Sequence, residues 1–169
     1  MTDVLFLGGR SGVGKTSVAV QMSAQLALAD VRHAVIEGDA LDLAYRPPWE
    51  HHLAERNLAA IWANYTALGY SRLIYTNTYS VRDTAALVAA LGDPVRVTAV
   101  LLTASDRTAS QRLARREIGG TFESHVDRSR RAARALSSVP PSVARVATDG
   151  RTVADLAASV ISLWLGSSS

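Results

Sequence analysis

The 169-residue chain has no cysteine, one lysine against 17 arginines, two methionines and two phenylalanines. Without cysteine there is no disulfide framework, no thiolate metal site and no cysteine nucleophile. No apolar run approaches the ~18 residues that a membrane-spanning helix needs. Met1-Thr2-Asp3 leads directly into an apolar strand pattern, with no basic segment and no cleavage site. The sequence-level expectation is therefore a cytoplasmic protein without a signal peptide and without a membrane partner. Hydrophobic residues make up 48% and charged residues 20%, which excludes wholesale disorder. The length is that of one domain, here residues 1–169, with room for a real core. A GC-rich genome accounts for the scarcity of lysine, but not for the position of Lys15.

Short apolar runs alternate with amphipathic stretches. Val4–Leu7, Ala34–Ile36, Arg72–Thr76, Val95–Leu102 and Val143–Ala147 read as buried strands. Helices are predicted for about 16–29, 54–68, 80–91, 105–116, 123–137 and 152–164. Their start signals are Ser80-Val81-Arg82-Asp83, Ser105 and Thr152-Val153-Ala154-Asp155. Pro47 and Pro48 exclude helix between Arg46 and Trp49. Strand–helix alternation of this kind predicts a three-layer α/β domain on a five-stranded parallel sheet.

Gly9-Arg10-Ser11-Gly12-Val13-Gly14-Lys15-Thr16 fits G-x-x-x-x-G-K-[ST] at every position. Chance would produce it in a chain of this composition about once in a thousand sequences. It also stands where its mechanics require, after a strand and at the start of a helix. Glycines let the backbone N–H groups turn toward phosphate oxygens, and the helix adds the positive end of its dipole. Gly9, Ser11, Gly12, Val13, Gly14, Lys15, Thr16 and Ser17 are the expected nucleotide-binding residues. Lys15 reaches the β- and γ-phosphates and the Thr16 hydroxyl serves Mg²⁺. The spacing breaks G-x-G-x-x-G, which argues against a dinucleotide.

Asp39 follows the second strand, at the sheet edge where ligands gather. A carboxylate there suits a base, a substrate contact or a Mg²⁺ ligand. Residues 107–134 hold eight arginines and three acids, a segment of +5 on a body of −2. Gly119-Gly120 interrupts it as a hinge, so about 107–137 reads as a mobile basic lid. Arg112 and Arg116 share a helix face and with Arg115 are the leading candidates to close on the transferring phosphoryl. His125 and Arg128 share a face of the second lid helix and rank below them. The lid lacks interleaved aromatics, which argues against a nucleic-acid partner. His51-His52 lacks a third ligand at metal spacing, and His33 reads as structural.

These motifs resemble, in the same order and over nearly the whole chain, the small P-loop kinases of the adenylylsulfate kinase, gluconate kinase and chloramphenicol phosphotransferase group. Gly38-Asp39 is similar to the Gly-Asp of the first two, where the Asp belongs to the substrate site. Glu55-Arg56-Asn57-Leu58 resembles a Glu-Asn-Ile stretch with an arginine inserted. Arg82-Asp83 resembles an Arg-Asp of gluconate kinases, and Arg112 to Arg116 the start of the kinase lid. Thr148-Asp149-Gly150 resembles the adenine-side loop. The resemblance implies an ATP- and Mg²⁺-dependent kinase acting on a hydroxyl of a small molecule, as monomer or homodimer. It makes Lys15, Asp39, Arg112 and Arg116 catalytic, and adds Arg115, Asp149 and Gly150 to the nucleotide site. It places the acceptor along about 41–68, with Asp39, Asp42, Arg46, Arg56, Asn57 and Asn77 as substrate residues. Tyr75-Thr76-Asn77-Thr78 lacks the acid that usually ends the third strand, as do adenylylsulfate kinases. The second Mg²⁺ ligand therefore stays open, and an ATPase or regulatory switch without an acceptor is the alternative.

Overall fold

The five apolar runs become five parallel strands whose backbone groups pair with one another, and the central β-strands at residues 2–8 and 72–76 are buried on both faces. In the computed structural model, residues 1–46, 49–82, 84–92, 94–115 and 122–166 are described. The strands are β1 (Thr2–Gly8), β2 (Ala34–Glu37), β3 (Arg72–Thr76), β4 (Val95–Thr103) and β5 (Ala144–Ala147), in the order β2-β3-β1-β4-β5. Register runs Leu5 to Ile74 on one side of β1 and Leu5 to Thr98 on the other. The helices are α1 (Lys15–Leu28), α2 (Leu53–Ala67), α3 (Thr84–Leu91), α4 (Asp106–Ala114), α5 (Phe122–Ala135) and α6 (Val153–Leu165). The three-layer α/β expectation is met, with boundaries within about two residues of those read from periodicity for most elements; α3, expected to open at Ser80, starts at Thr84 because residues 80–82 form a turn.

Alternation along β1 sends Leu5 and Leu7 to one face and Val4 and Phe6 to the other. The first face packs on α1 and α6 through Met22, Leu26, Leu156, Val160 and Trp164. The second packs on α2 and α3 through Leu58, Trp62, Leu87 and Leu91. Ser105 and Thr152 cap α4 and α6 as their types predict, accepting from Thr108 N and Asp155 N. Short 3₁₀ turns at Gly38–Ala40, Trp49–His51 and Leu136–Ser138 were not legible in the periodicity. The proposed capping residue Asp83, the Pro47-Pro48 pair, Arg116 and the Gly119-Gly120 hinge lie outside the described residues. No described helix is long and apolar enough to cross a membrane.

Two indoles tie both layers to the start of β1. Trp62 Nε1 donates to Thr2 Oγ1 at 3.2 Å, and Trp164 Nε1 donates to Asp3 Oδ1 at 2.8 Å. Asp3 also pairs with Arg96 of β4. Trp164 is fully buried. Trp164→Ala should destabilise the protein by about 3–5 kcal/mol, through a large cavity and an acid left with one partner fewer. A loss below about 1 kcal/mol in urea denaturation would contradict this packing.

Candidate functional site

All five strands end at the same edge, and the loop after β1 lies in the middle of it. Gly9, Gly12 and Gly14 have positive φ, and a Cβ on Gly12 would stand 2.6 Å from the Ala109 carbonyl of α4. The loop can therefore lie against α4 only without a side chain at that position. α1 starts at Lys15, whose Nζ donates to Gly9 O at 2.9 Å. The same Nζ stands 3.7 Å from Asp39 Oδ2. Lys15 is 8% exposed, so its ammonium has little water to compete with these oxygens.

Asp39 sits in the 3₁₀ turn after β2. Its Oδ1 accepts from Thr78 N at 3.1 Å, which fixes the carboxylate at the rim between β2 and β3. Gly38 before it has no room for a side chain: a Cβ would lie 2.3 Å from the Tyr75 hydroxyl. Glu37, which the sequence reading passed over, joins the group. It accepts from Thr16 Oγ1 at 2.9 Å and from Thr76 Oγ1 at 2.6 Å. An acid is thus present beside Thr16, but it comes from β2 and is held by β3. Its signal was the Glu37-Gly38-Asp39 run, in which Asp39 alone was weighed.

A cavity of about 290 Å³ opens over the loop. Lys15, Thr16 and Asp39 line one wall; Leu113, His125 and Arg128 line the other. The lid residues that reach it on α5 are therefore the pair ranked second from sequence. The lid is also fastened to the loop. Arg10, only 5% exposed, pairs with Asp106 and donates to Ser129 Oγ at 2.9 Å, and Ser129 donates to Ser11 O at 2.8 Å. The Arg10 guanidinium holds the exposed Asp106 carboxyl below its ordinary range.

Arg112, expected to close on the transferring phosphoryl, reaches the loop itself. It donates to Val13 O at 3.0 Å, and to the Thr148 hydroxyl and carbonyl at 3.0 and 3.2 Å. It lines a second cavity of about 260 Å³ with Val13, Ser17, Arg115, Arg151 and Val153, which shares Gly12 and Gly14 with the first. The helix face it occupies turns toward the loop flank, so its donors are engaged there. Arg115 lines the same cavity; Arg151 and Val153 were not anticipated. Asp149, expected beside the nucleotide, accepts from Ser105 N, Ser105 Oγ at 2.7 Å and Thr108 Oγ1 at 2.6 Å, joining β5 to the start of α4. Gly150 is exposed with positive φ and lines neither cavity.

On the acceptor side, Asn57 Nδ2 donates to Leu41 O at 2.6 Å and so braces α2 against the segment after β2. Arg46 and Arg56 are exposed and line none of these cavities. Arg56 projects on the side of α2 away from buried Leu58. Asp42 is half-buried, and Asn77 lines a third cavity with Glu55 and Tyr75. His33 is held between Val31 O and Ser23 Oγ.

The donors on Asp149 hold its carboxyl down at about 2, from an ordinary 3.8, led by the Thr108 and Ser105 hydroxyls. A folded value below the unfolded one stabilises at pH above 3.8, and that contribution is lost as pH falls toward 2. Asp149→Asn should therefore be less stable than wild type at pH 6, with the gap closing between about pH 4 and 2. Urea denaturation across that window checks it; a gap that does not change with pH would contradict it.

A family model for AAA domains, AAA_33, matches residues 4–140. No curated protein matches the chain. Among solved structures, the chain is similar to an unliganded sugar kinase from Janibacter sp. at 17% identity and TM-score 0.67, covering 98% of this chain and 95% of that one. It is similar to an APS kinase of Mycobacterium tuberculosis in complex with AMPPNP and APS, at 20% identity and TM-score 0.62, with 96% of both chains covered. A shikimate kinase from Acinetobacter baumannii in complex with shikimate shares 18% identity at TM-score 0.62, over 99% and 96%. These likenesses establish the fold, a three-layer P-loop architecture. With most of its length matched, the chain belongs to the AAA_33 family of AAA domains.

Proposed function

We propose that the protein transfers the γ-phosphoryl of ATP to a hydroxyl of a small molecule. The observation that carries this reading is the placement of Asp39. It stands 3.7 Å from the phosphate-loop lysine and lines the cavity over the loop, facing His125 and Arg128. A switch that only binds nucleotide has no need of a carboxylate fixed at that rim. The similar structures holding AMPPNP with APS, or shikimate, support a nucleotide on one side of Asp39 and an acceptor on the other.

The loop N–H groups and Lys15 cradle the β- and γ-phosphates. Arg115, Arg151 and Val153 flank the space for the base. Thr16 and Glu37 offer hard oxygen donors, which fits Mg²⁺: that ion keeps several waters and takes few protein ligands beside the phosphates. Bound there, Mg²⁺ would neutralise charge on the phosphates. Asp39 orients the acceptor hydroxyl and takes its proton as the new O–P bond forms. The bond from the γ-phosphorus to the β,γ-bridging oxygen breaks, and ADP leaves with the electron pair. Arg128 and His125 supply positive charge and hydrogen bonds to the equatorial oxygens when the lid is down. Positioning and charge carry the reaction, since phosphoryl transfer asks for little covalent help.

Lys15→Ala should abolish ATP binding in calorimetry; retained affinity would contradict the loop assignment. Asp39→Asn should lower the transfer rate by about 10²–10⁴ while ATP affinity stays within a few-fold. The readout is label moving from γ-labelled ATP to hydroxylated acceptors. Unchanged transfer in that variant would remove Asp39 as the base.

A further inference from the structure

The third cavity, about 200 Å³, is lined by Asn77 and Tyr79, the chain neighbours of the Thr78 whose N–H donates to Asp39. Glu55, Tyr75, Asn77, Tyr79 and Ser80 form its polar wall and Leu87 an apolar one. Asp39 lines the phosphate-side cavity and is tied to this one through Thr78. One carboxylate oxygen faces Lys15, and the other accepts from Thr78 N, between the lining residues Asn77 and Tyr79. The volume is below the ~300–1,000 Å³ of sites for drug-sized ligands, which suits a molecule of one sugar ring.

Tyr75 is 1% exposed and lines this cavity, and its hydroxyl forms no hydrogen bond with a described residue. The hydroxyl is not among the sealed side-chain atoms without a partner, so it meets solvent at the cavity and can donate to a group that enters there. Burial, and after it the carboxylates of Asp39, Glu55, Asp42 and Glu37, push the hydroxyl above its ordinary range. It is thus a neutral donor at every physiological pH. Glu37 is engaged by Thr16 and Thr76, and Asp39 by Lys15 and Thr78. Glu55 and Asp42 have no hydrogen-bond or ion-pair partner among the described residues. The arginines of this side, Arg46, Arg56 and Arg82, are exposed and do not line the cavity. An anionic acceptor would meet uncompensated carboxylates here, whereas an ammonium would pair with them.

We infer that this cavity is the acceptor site and that it selects a ring-sized polyol by charge, preferring one that carries an amine, accepting a neutral one and rejecting an acid. This rests on the phosphoryl-transfer reading. Glu55 pairs with the amine, and the Tyr75 hydroxyl and the Asn77 side-chain amide hold ring hydroxyls. The hydroxyl nearest Asp39 is the one phosphorylated.

Glucosamine, glucose and gluconate test this, being six-carbon polyols of charge +1, 0 and −1. Their affinities for the full chain with Mg²⁺ and ADP are measured by ligand-observed NMR, and phosphorylation by label from ATP. Glucosamine should bind most tightly and gluconate at least about tenfold more weakly. Glu55→Gln should remove most of the advantage of glucosamine over glucose, and Asp42→Asn should reduce it if Glu55→Gln fails to fold. Gluconate binding as tightly as glucosamine, an amine preference that survives both substitutions, or no binding by any of the three would overturn the inference. The expected binding order with no label transferred would support the charge selectivity and count against phosphoryl transfer itself.

Discussion

The site depends on one buried ammonium held between two kinds of oxygen. Lys15 is the chain's single lysine, and its Nζ reaches a carbonyl of its own loop and the carboxylate of Asp39. A charge this buried is tolerable only when paired and hydrogen-bonded. That requirement reaches outward. The loop must curl tightly enough to bring Gly9 O back to Nζ, which its left-handed glycines allow. β2 must end where Asp39 can meet the lysine, and Gly38 must lack a side chain so that the turn passes Tyr75. Arginine, planar and forked, would not substitute for a compact ammonium in that space.

The lid is built into the same arrangement. Arg10 runs from the loop to Asp106 on α4 and Ser129 on α5, and Ser129 returns to Ser11 O. Arg112 joins α4 to Val13 and to the end of β5. One arginine of the basic region, Arg112, therefore positions the loop, while Arg128 faces the phosphate side. The +5 charge of the lid is a sum over different duties.

Much of this was legible in the sequence because period and turn chemistry are local. Apolar runs gave the strands, capping serine and threonine the helix starts, and the glycine-lysine spacing the loop. Asp39 followed from its place after β2 at the ligand edge. Long-range partners were not legible. Nothing in the neighbourhood of Asp149 shows that it is occupied by Ser105 and Thr108, more than forty residues earlier in the chain. Glu37 was hidden because an acid beside Thr16 is usually sought at the end of β3, where Thr76 stands instead. Arg112 went to the loop flank because helix periodicity tells which residues share a face, not what that face meets.

In the proposed reading, Asp39 divides a phosphate side rich in donors from an acceptor side that holds Glu55. The account stands or falls on what attacks the γ-phosphorus. ATP turnover in ¹⁸O-enriched water, with polyol probes present, answers this by mass spectrometry of the products. Transfer to an acceptor hydroxyl predicts a phosphate ester free of solvent oxygen. Inorganic phosphate carrying one ¹⁸O, released at the same rate with and without the probes, would show that water is the acceptor and contradict the account.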